Sequence, residues 1–197
     1  MIEIRLTSLE SGTAEEYHHL EAVDAELNAG CIPEDILALF AGTDRETGYP
    51  VSPMQHALQT ASRAFRDGAP DETIFAALFH DVADRIAPIN HARVGAEILR
   101  PYIGEETHWV LAHHSIFQGY YYWHHTGKDR NERERYRGHP HFEACAAFCE
   151  RWDQRSFDPA YDTMPLEAFL PVVHRVFARE PYSRWRGAGA TMTSGEQ

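Results

Sequence analysis

The sequence has few basic residues, few cysteines and no long apolar run. Its 18 lysines and arginines stand against 30 aspartates and glutamates, a formal charge of -12, so a nucleic-acid backbone or an anionic lipid surface would be repelled. No stretch approaches the roughly eighteen apolar residues of a membrane helix, and the first residues lack the basic and then apolar layout of a signal peptide. We therefore expect a cytoplasmic protein that binds neither nucleic acid nor membranes.

Cysteine is too scarce to form a disulfide framework or a structural zinc site. Cys31, Cys145 and Cys149 are odd in number and show no Cys-x-x-Cys spacing, so the thiols are predicted to be buried or unused. Histidine, in contrast, occurs 13 times, several-fold more often than in an average chain of this length. This excess indicates that imidazole takes part in chemistry or in metal binding.

Helix signals recur along the chain, whereas strand patterns and internal repeats do not. Helices are predicted over residues 14–28, 33–40, 53–67, 71–82, 91–99, 105–114, 140–152 and 165–179. The third begins at an N-cap, Ser52, followed by Pro53, and has an apolar stripe of Met54, Leu58, Ala61 and Phe65. With 197 residues, 43% of them hydrophobic, we expect one compact all-α bundle over residues 1–185 and a disordered tail over residues 186–197.

An adjacent histidine and aspartate, His80 and Asp81, interrupt the otherwise apolar fourth helix. A buried carboxylate is costly without a partner. For a lone pair, a core histidine bonded to a core aspartate is the commoner interpretation, and metal binding is the alternative. The order of further candidate ligands along the chain favours metal binding, since each lies on its own predicted helix: His56, His80 with Asp81, His91, His114 and Asp153.

This order resembles the HD superfamily, whose H…HD…D pattern draws such residues from separate helices into one site. The additional histidines resemble the two-metal branch of that superfamily. By this resemblance one metal is held by His56, His80, Asp81 and Asp153. The other is held by Asp81, His91 and His114, with Asp81 as the bridge. His114 is favoured over His113 by its spacing to Gln118 and by the family order, and His113 stays an alternative because helix ends are poorly located from sequence.

Three local stretches narrow the resemblance. Residues 55–59, 90–99 and 140–153 look like the small HD-domain mixed-valence di-iron oxygenases that cleave organophosphonates, and the likeness covers about residues 40–160. Myo-inositol oxygenase is a more distant relative of the same kind. The resemblance implies two iron ions, Fe(II) and Fe(III), and O2 as a reactant. The substrate would be a small phosphonate with a hydroxyl next to phosphorus, cleaved to phosphate and a carboxylate. Imidazole and carboxylate donors without thiolate suit iron or manganese better than structural zinc.

Four further positions are compared with residues that act around the metals in that family: Glu46, Tyr49, Asp84 and Gln118. The family has a tyrosine and then a glutamate covering the iron, and this chain has Glu46 and Tyr49 in reverse order. Asp84 stands where histidine or lysine is common, and Gln118 stands where a phosphonate-binding lysine is common.

The aromatic residues 120–123, with Asp84 as counter-charge, are one candidate surface for a quaternary ammonium group, as in a hydroxylated trimethylammonio-ethylphosphonate. Ordinary packing of these rings is an equal alternative. The charged residues 128–137 are predicted to form a solvated excursion or a lid.

Two other functions stay open. One is an HD phosphohydrolase that uses manganese or another divalent metal to cleave a phosphate monoester or nucleotide. The other is a non-catalytic HD module that senses a metabolite. The oxygenase is preferred over the hydrolase, although a shared site fixes ligands better than it fixes reactions. The oligomeric state is not predicted.

Overall fold

The computed structural model describes residues 2–29 and 32–179, with the backbone alone for residues 27–29 and 32. Within these residues the chain forms α-helices joined by turns and short 3-10 segments, without any strand. The helices are α1 (Ala14–Ala29), α2 (Ile32–Ala41), α3 (Pro53–Arg66), α4 (Asp71–Phe79), α5 (His91–Leu99), α6 (Glu105–Tyr122), α7 (Phe142–Arg151) and α8 (Leu170–Phe177). The all-α prediction is confirmed. None of these helices combines the length and apolarity that a membrane span requires.

Backbone contacts divide the chain into two units, Met1–Ala38 and Leu39–Gln197. In the first, the Glu16 carboxylate accepts hydrogen bonds from the backbone N–H groups of Arg5 at 2.7 Å and Thr13 at 2.8 Å, which ties the N-terminal residues to the start of α1. In the second, α3 packs on α4, α5 and α7 pack on α6, and α8 packs on α4. One domain over residues 1–185 stays a prediction, and the predicted tail, residues 186–197, lies outside the described residues.

The start of α3 follows the prediction. The Ser52 hydroxyl accepts the Gln55 backbone N–H at 3.2 Å, and Pro53 occupies the first helical turn. The apolar stripe was wrong at its last position, because Phe65 is 44% exposed. The last turn of α3 is still packed at Ala64, which is completely buried, whereas the neighbouring Phe65 ring lies at the surface, edge-on to Phe169.

The fourth helix ends earlier than predicted. α4 stops at Phe79, and residues 80–86 form successive turns. The His80 side chain explains the stop, because its Nδ1 hydrogen-bonds the Ala77 carbonyl at 2.9 Å, the acceptor that Asp81 N–H would use if the helix continued. Asp153 likewise lies in a 3-10 segment after α7. The prediction that every candidate ligand lies on a helix was therefore wrong for His80, Asp81 and Asp153.

α6 continues beyond its predicted end, through Tyr122, so the aromatic run lies largely on a helix. The charged segment after it forms a 3-10 run, Arg130–Tyr136, that packs on α6. Its Arg133 side chain is only 13% exposed, and the guanidinium lies 3.7 Å from the centre of the Tyr120 ring. The prediction that this segment is solvated was therefore wrong for Arg133. Its guanidinium stacks on an aromatic face, which such a group can do despite its charge.

Two of the three cysteines are buried on α7 as free thiols, as predicted: Cys145 and Cys149. Burial raises the pKa of the Cys149 thiol well above its usual value, so this group stays uncharged at neutral pH. Cys31 lies outside the described residues.

Candidate metal centre

The six side chains predicted as ligands meet in one cluster within the second unit. His56 comes from α3, His91 from the first residue of α5 and His114 from the middle of α6. His80 and Asp81 come from the turns after α4, and Asp153 from the segment after α7. His56, His80, His114 and Asp153 are almost completely buried. Five separate stretches of the chain thus converge on one site.

Asp81 lies between two groups of imidazoles. Its Oδ2 is 3.2 Å from His80 Nε2 and 3.8 Å from His56 Nε2. Its Oδ1 is 3.1 Å from His114 Nε2 and 3.2 Å from His91 Nε2. Each group, together with Asp81, brings its donor atoms close enough to hold one metal ion. One carboxylate oxygen facing each group is the arrangement in which a carboxylate bridges two cations.

Backbone carbonyls determine which nitrogen of each imidazole is protonated. The four Nδ1 atoms lie 2.7–3.2 Å from the carbonyl oxygens of Ser156 (for His56), Ala77 (His80), Leu111 (His114) and Pro88 (His91). Because a carbonyl oxygen can only accept, each Nδ1 donates, and each neutral ring presents the lone pair of Nε2 to the cluster. Outer carbonyl partners of this kind are typical of metal-binding histidines.

His56 and His80 place their Nε2 atoms only 3.0 Å apart. Two lone pairs at this distance repel each other unless a proton or a cation binds them. Asp153 adds Oδ1 at 3.2 Å from His56 Nε2, while its buried Oδ2 has no hydrogen-bond partner. An unpartnered buried carboxylate oxygen is costly. A cation would satisfy all three side chains, so these residues fit a metal ion.

The carboxylates of the cluster shift the pKa values of its residues in the direction expected of a site that attracts positive charge. Burial alone would lower the pKa of His80, but the carboxylates of Asp81 and Asp153 outweigh it and raise the pKa to about 9. Burial likewise disfavours ionised carboxylates, yet His80 holds the pKa of Asp81 well below its usual value, and His56 lowers that of Asp153. The cluster therefore attracts positive charge, whether a proton or a metal ion.

Gln118 and Asp84 lie just outside this cluster. The Gln118 side chain, one turn after His114 on α6, donates Nε2–H to Asp153 Oδ1 at 2.8 Å. Asp84 Oδ1 is 3.8 Å from His91 Nδ1, and its Oδ2 accepts a hydrogen bond from the Arg45 guanidinium at 2.9 Å. Both residues thus contact predicted ligands.

The two loop residues before α3 lie further out. Tyr49 is 64% exposed, and its ring centre is 5.4 Å from that of Phe157. Glu46 lines a surface pocket formed by the loop itself, together with Tyr49. The Tyr49 ring thus packs near Phe157, and Phe157 in turn stacks on His56.

Two residues of the site were not identified from the sequence, Phe157 and Ser115. The Phe157 ring stacks on His56, with 4.4 Å between ring centres. The Ser115 hydroxyl lies 3.1 Å from His91 Nε2. The only available signals were proximity in sequence, Phe157 to Asp153 and Ser115 to His114, and neither forms a motif.

Phe157 also lines a pocket of about 330 Å³ beside the metal centre. Its other lining residues are Tyr49, Gln118, Tyr121, Tyr122 and Gln154. From the predicted aromatic surface, residues 120–123, two rings therefore face this pocket. Tyr120 is instead covered by Arg130 and Arg133.

Comparison with known proteins relates this geometry to a family. Residues 54–156 match the family model described as HD domain. A protein of Leisingera caerulea, 1-hydroxy-2-(trimethylamino)ethylphosphonate dioxygenase (glycine-betaine-forming), is 33% identical over 91 residues, which cover 40% of this chain and 46% of that protein. The chain thus spans less than half the length of this relative. The HD-domain match takes in more than half of the chain and all six clustered side chains, and the chain therefore belongs to the HD-domain family of metal-dependent enzymes.

Proposed function

We propose that this protein is a di-iron oxygenase that cleaves the carbon–phosphorus bond of a 1-hydroxyphosphonate. The observation that supports it most is Asp81, with one carboxylate oxygen facing each group of imidazoles, because this suits two cations rather than one. One ion would be held by His56, His80, Asp81 and Asp153, and the other by Asp81, His91 and His114. The dioxygenase name of the partial relative supports the reaction class.

The reaction balances with O2 as the only other reactant. A 1-hydroxyphosphonate dianion and O2 give a carboxylate, hydrogen phosphate and one proton. The C–H bond and the C–P bond of the same carbon break, and the four electrons of these bonds reduce O2. When bound, iron supplies the Lewis acidity and the redox capacity that this oxidation needs. The chain supplies position and shields the reacting carbon from water with Phe157 and Tyr121.

The pocket beside the metal centre suits a substrate with an ammonium group at one end. The rings of Tyr49, Tyr121, Tyr122 and Phe157 line it, and aromatic faces attract quaternary ammonium ions. Asp84, considered from the sequence as a counter-charge, is not in this lining and pairs with Arg45. We propose that the rings alone hold the ammonium group, by the same chemistry that the trimethylamino substrate of the relative would require.

The phosphonate end does not require a lysine in this proposal. Two iron ions would outweigh the negative charges of Asp81 and Asp153, so the centre itself would attract a dianion. Gln118 stands where related oxygenases often have a lysine, and its amide donates to Asp153 instead. Its role is therefore to position a ligand rather than to neutralise the substrate.

Anaerobic reconstitution with iron tests the proposal. We expect two iron ions per chain and a coupled Fe(II)/Fe(III) electron paramagnetic resonance signal that changes when 1-hydroxy-2-(trimethylamino)ethylphosphonate is added. With O2 present, glycine betaine and phosphate should form in equal amounts, one pair per O2 consumed.

The substrate without the hydroxyl, 2-(trimethylamino)ethylphosphonate, is the matched control and should remain uncleaved. Hydrolysis of a phosphate monoester without oxygen, in protein loaded with manganese, would assign the phosphohydrolase instead. Protein that binds no iron under these conditions would remove the proposal.

Replacing Gln118 by leucine should weaken binding of the ion held by Asp153. The variant removes the N–H donor 2.8 Å from Asp153 Oδ1, and loss of such an outer partner typically costs roughly 10–100-fold in metal affinity. Competition with a chelator measures this affinity. Gln154→Leu is the control, because Gln154 lines the same pocket but donates to the Glu150 carbonyl. Equal affinities in the two variants would contradict the positioning role.

A further inference from the structure

The face of α3 that presents His56 to the metal centre continues to Gln59 and Arg63. Positions 56, 59 and 63 share one helix face, and each contacts the chain that follows Asp153. Gln59 Nε2 donates to the Asp158 carbonyl at 2.7 Å. The Arg63 guanidinium lies 3.9 Å from the centre of the Tyr161 ring. His56 and Gln59 each bond a backbone carbonyl, that of Ser156 and that of Asp158. Arg63, in contrast, keeps hydrogen-bonding capacity that the fold does not use.

A pocket of about 290 Å³ lies at the far end of this face, lined by four arginines, two carboxylates and one tyrosine. These are Arg63, Arg66, Arg151, Arg155, Asp67, Glu150 and Tyr161. In a chain with a formal charge of -12, four guanidinium groups around one small pocket form a local positive region. The metal ligands are not part of its lining.

Two of these arginines are already neutralised. Arg66 pairs with Asp162 at 2.8 Å, and Arg151 pairs with Asp67 at 3.0 Å. Within the described part of the chain, Arg63 and Arg155 have no carboxylate within ion-pair distance, and Arg63 Nε is buried without a hydrogen-bond partner. Glu150 is the opposing charge in the lining. Two guanidinium groups therefore retain free N–H donors at the same pocket.

We propose that this pocket is a second anion site, independent of the metal centre, for a small phosphate or phosphonate dianion. Among the described residues neither the Arg63 nor the Arg155 guanidinium has a carboxylate partner, and an oxyanion in the pocket would supply acceptors for their N–H groups. Stacking on Tyr161 occupies the flat face of the Arg63 guanidinium and leaves its in-plane N–H groups for hydrogen bonds. Together with Arg155 these groups match the oxygens of a tetrahedral anion. A long polyanion is disfavoured by the net charge of the chain.

Titration calorimetry with inorganic phosphate tests the site in the full chain, as purified and again after metals are removed by chelation. We expect saturable binding that survives chelation and that sulfate, but not chloride at equal ionic strength, competes away. Arg155→Gln, a change at an exposed residue, and Arg63→Gln should each weaken phosphate binding about tenfold or more, the loss of one charge-assisted contact. Arg63→Lys should weaken it as well, because lysine keeps the charge but not the fork of donors.

Arg137→Gln is the control with the same change in net charge, at a position paired with Glu134 and outside the pocket lining. It should bind phosphate like the unmodified protein. Phosphate binding that disappears on chelation, or that is unaffected by both Arg63→Gln and Arg155→Gln, would overturn the proposal. Neither result bears on the oxygenase proposal, which is tested by iron content and O2 consumption.

Discussion

Replacing Asp81 by alanine should remove both metal ions from the protein, the largest effect expected of any single change. Asp81 has one oxygen near His80 and the other near His114, so each ion would lose a ligand at once. The two cations would also lose the negative charge placed between them, and their mutual repulsion would rise. Metal analysis of protein purified in parallel should show a fall from two ions to none, with loss of oxygenase activity.

Three further variants distinguish the loss of a metal ligand from a general destabilisation of the protein. His114→Ala should cost the ion on its own side of Asp81 and leave the other. His113→Ala should cost neither, because His113 Nδ1 donates to the Trp109 carbonyl at 2.8 Å and its ring stacks on Trp109. His174→Ala, at an exposed position of α8, should leave the metal content unchanged. Two tightly bound ions in Asp81→Ala would refute the bridging role.

His113 and His114 show what could be inferred from the sequence. Helical spacing puts His114 on the same face as Gln118 and Tyr121, while His113 shares a face with Trp109. The spacing to Gln118 therefore favoured His114, and the structure places His114 beside Asp81. The face of a helix on which a residue lies depends on helical spacing alone, so it can be predicted from the sequence. The same holds for the start of α3, which depends on Ser52 and Pro53 alone.

His80 and Phe157 show what could not be inferred. The end of α4 depends on a side chain, His80, that bonds a carbonyl three residues earlier, and apolar periodicity contains no record of this competition. The stacking of Phe157 on His56 joins residues about a hundred positions apart. Such contacts arise only when the helices have packed. The sequence could therefore indicate the candidate ligands and several residues of the pocket, such as Tyr121 and Gln118, but not the contact between Phe157 and His56.

Arg133 shows why the prediction of a solvated segment was wrong. A run of alternating charges is usually solvated, and residues 128–137 fit that description. The tyrosines of α6 change the outcome, because Tyr120 offers a ring on which Arg130 and Arg133 stack. Composition alone does not show that an aromatic surface lies within reach of a charged segment.

Replacing Phe75 by alanine should give the largest loss of stability. Phe75 is completely buried, with its ring centre 4.9 Å from that of Phe79 and 5.1 Å from that of Phe177, so it joins α4 to α8. Truncating a buried phenylalanine costs about 3–5 kcal/mol. For a chain of this length the melting temperature should fall by roughly 6–20 °C. Denaturant unfolding at fixed metal concentration measures the free energy of unfolding.

Phe65→Ala is the matched control, because it makes the same truncation where the ring is 44% exposed, and should cost less than about 1 kcal/mol. Equal losses in the two variants would show that Phe75 does not anchor α4. Phe75 is not one of the six clustered side chains, and its ring packs on Phe79 and Phe177, so Phe75→Ala protein that remains folded should still bind two ions. Asp81→Ala should do the opposite, losing the ions because the defect lies in the ligand set rather than in the hydrophobic core. Comparing the two variants therefore distinguishes the contribution of Phe75 to the packing of α4 from the contribution of Asp81 to metal binding.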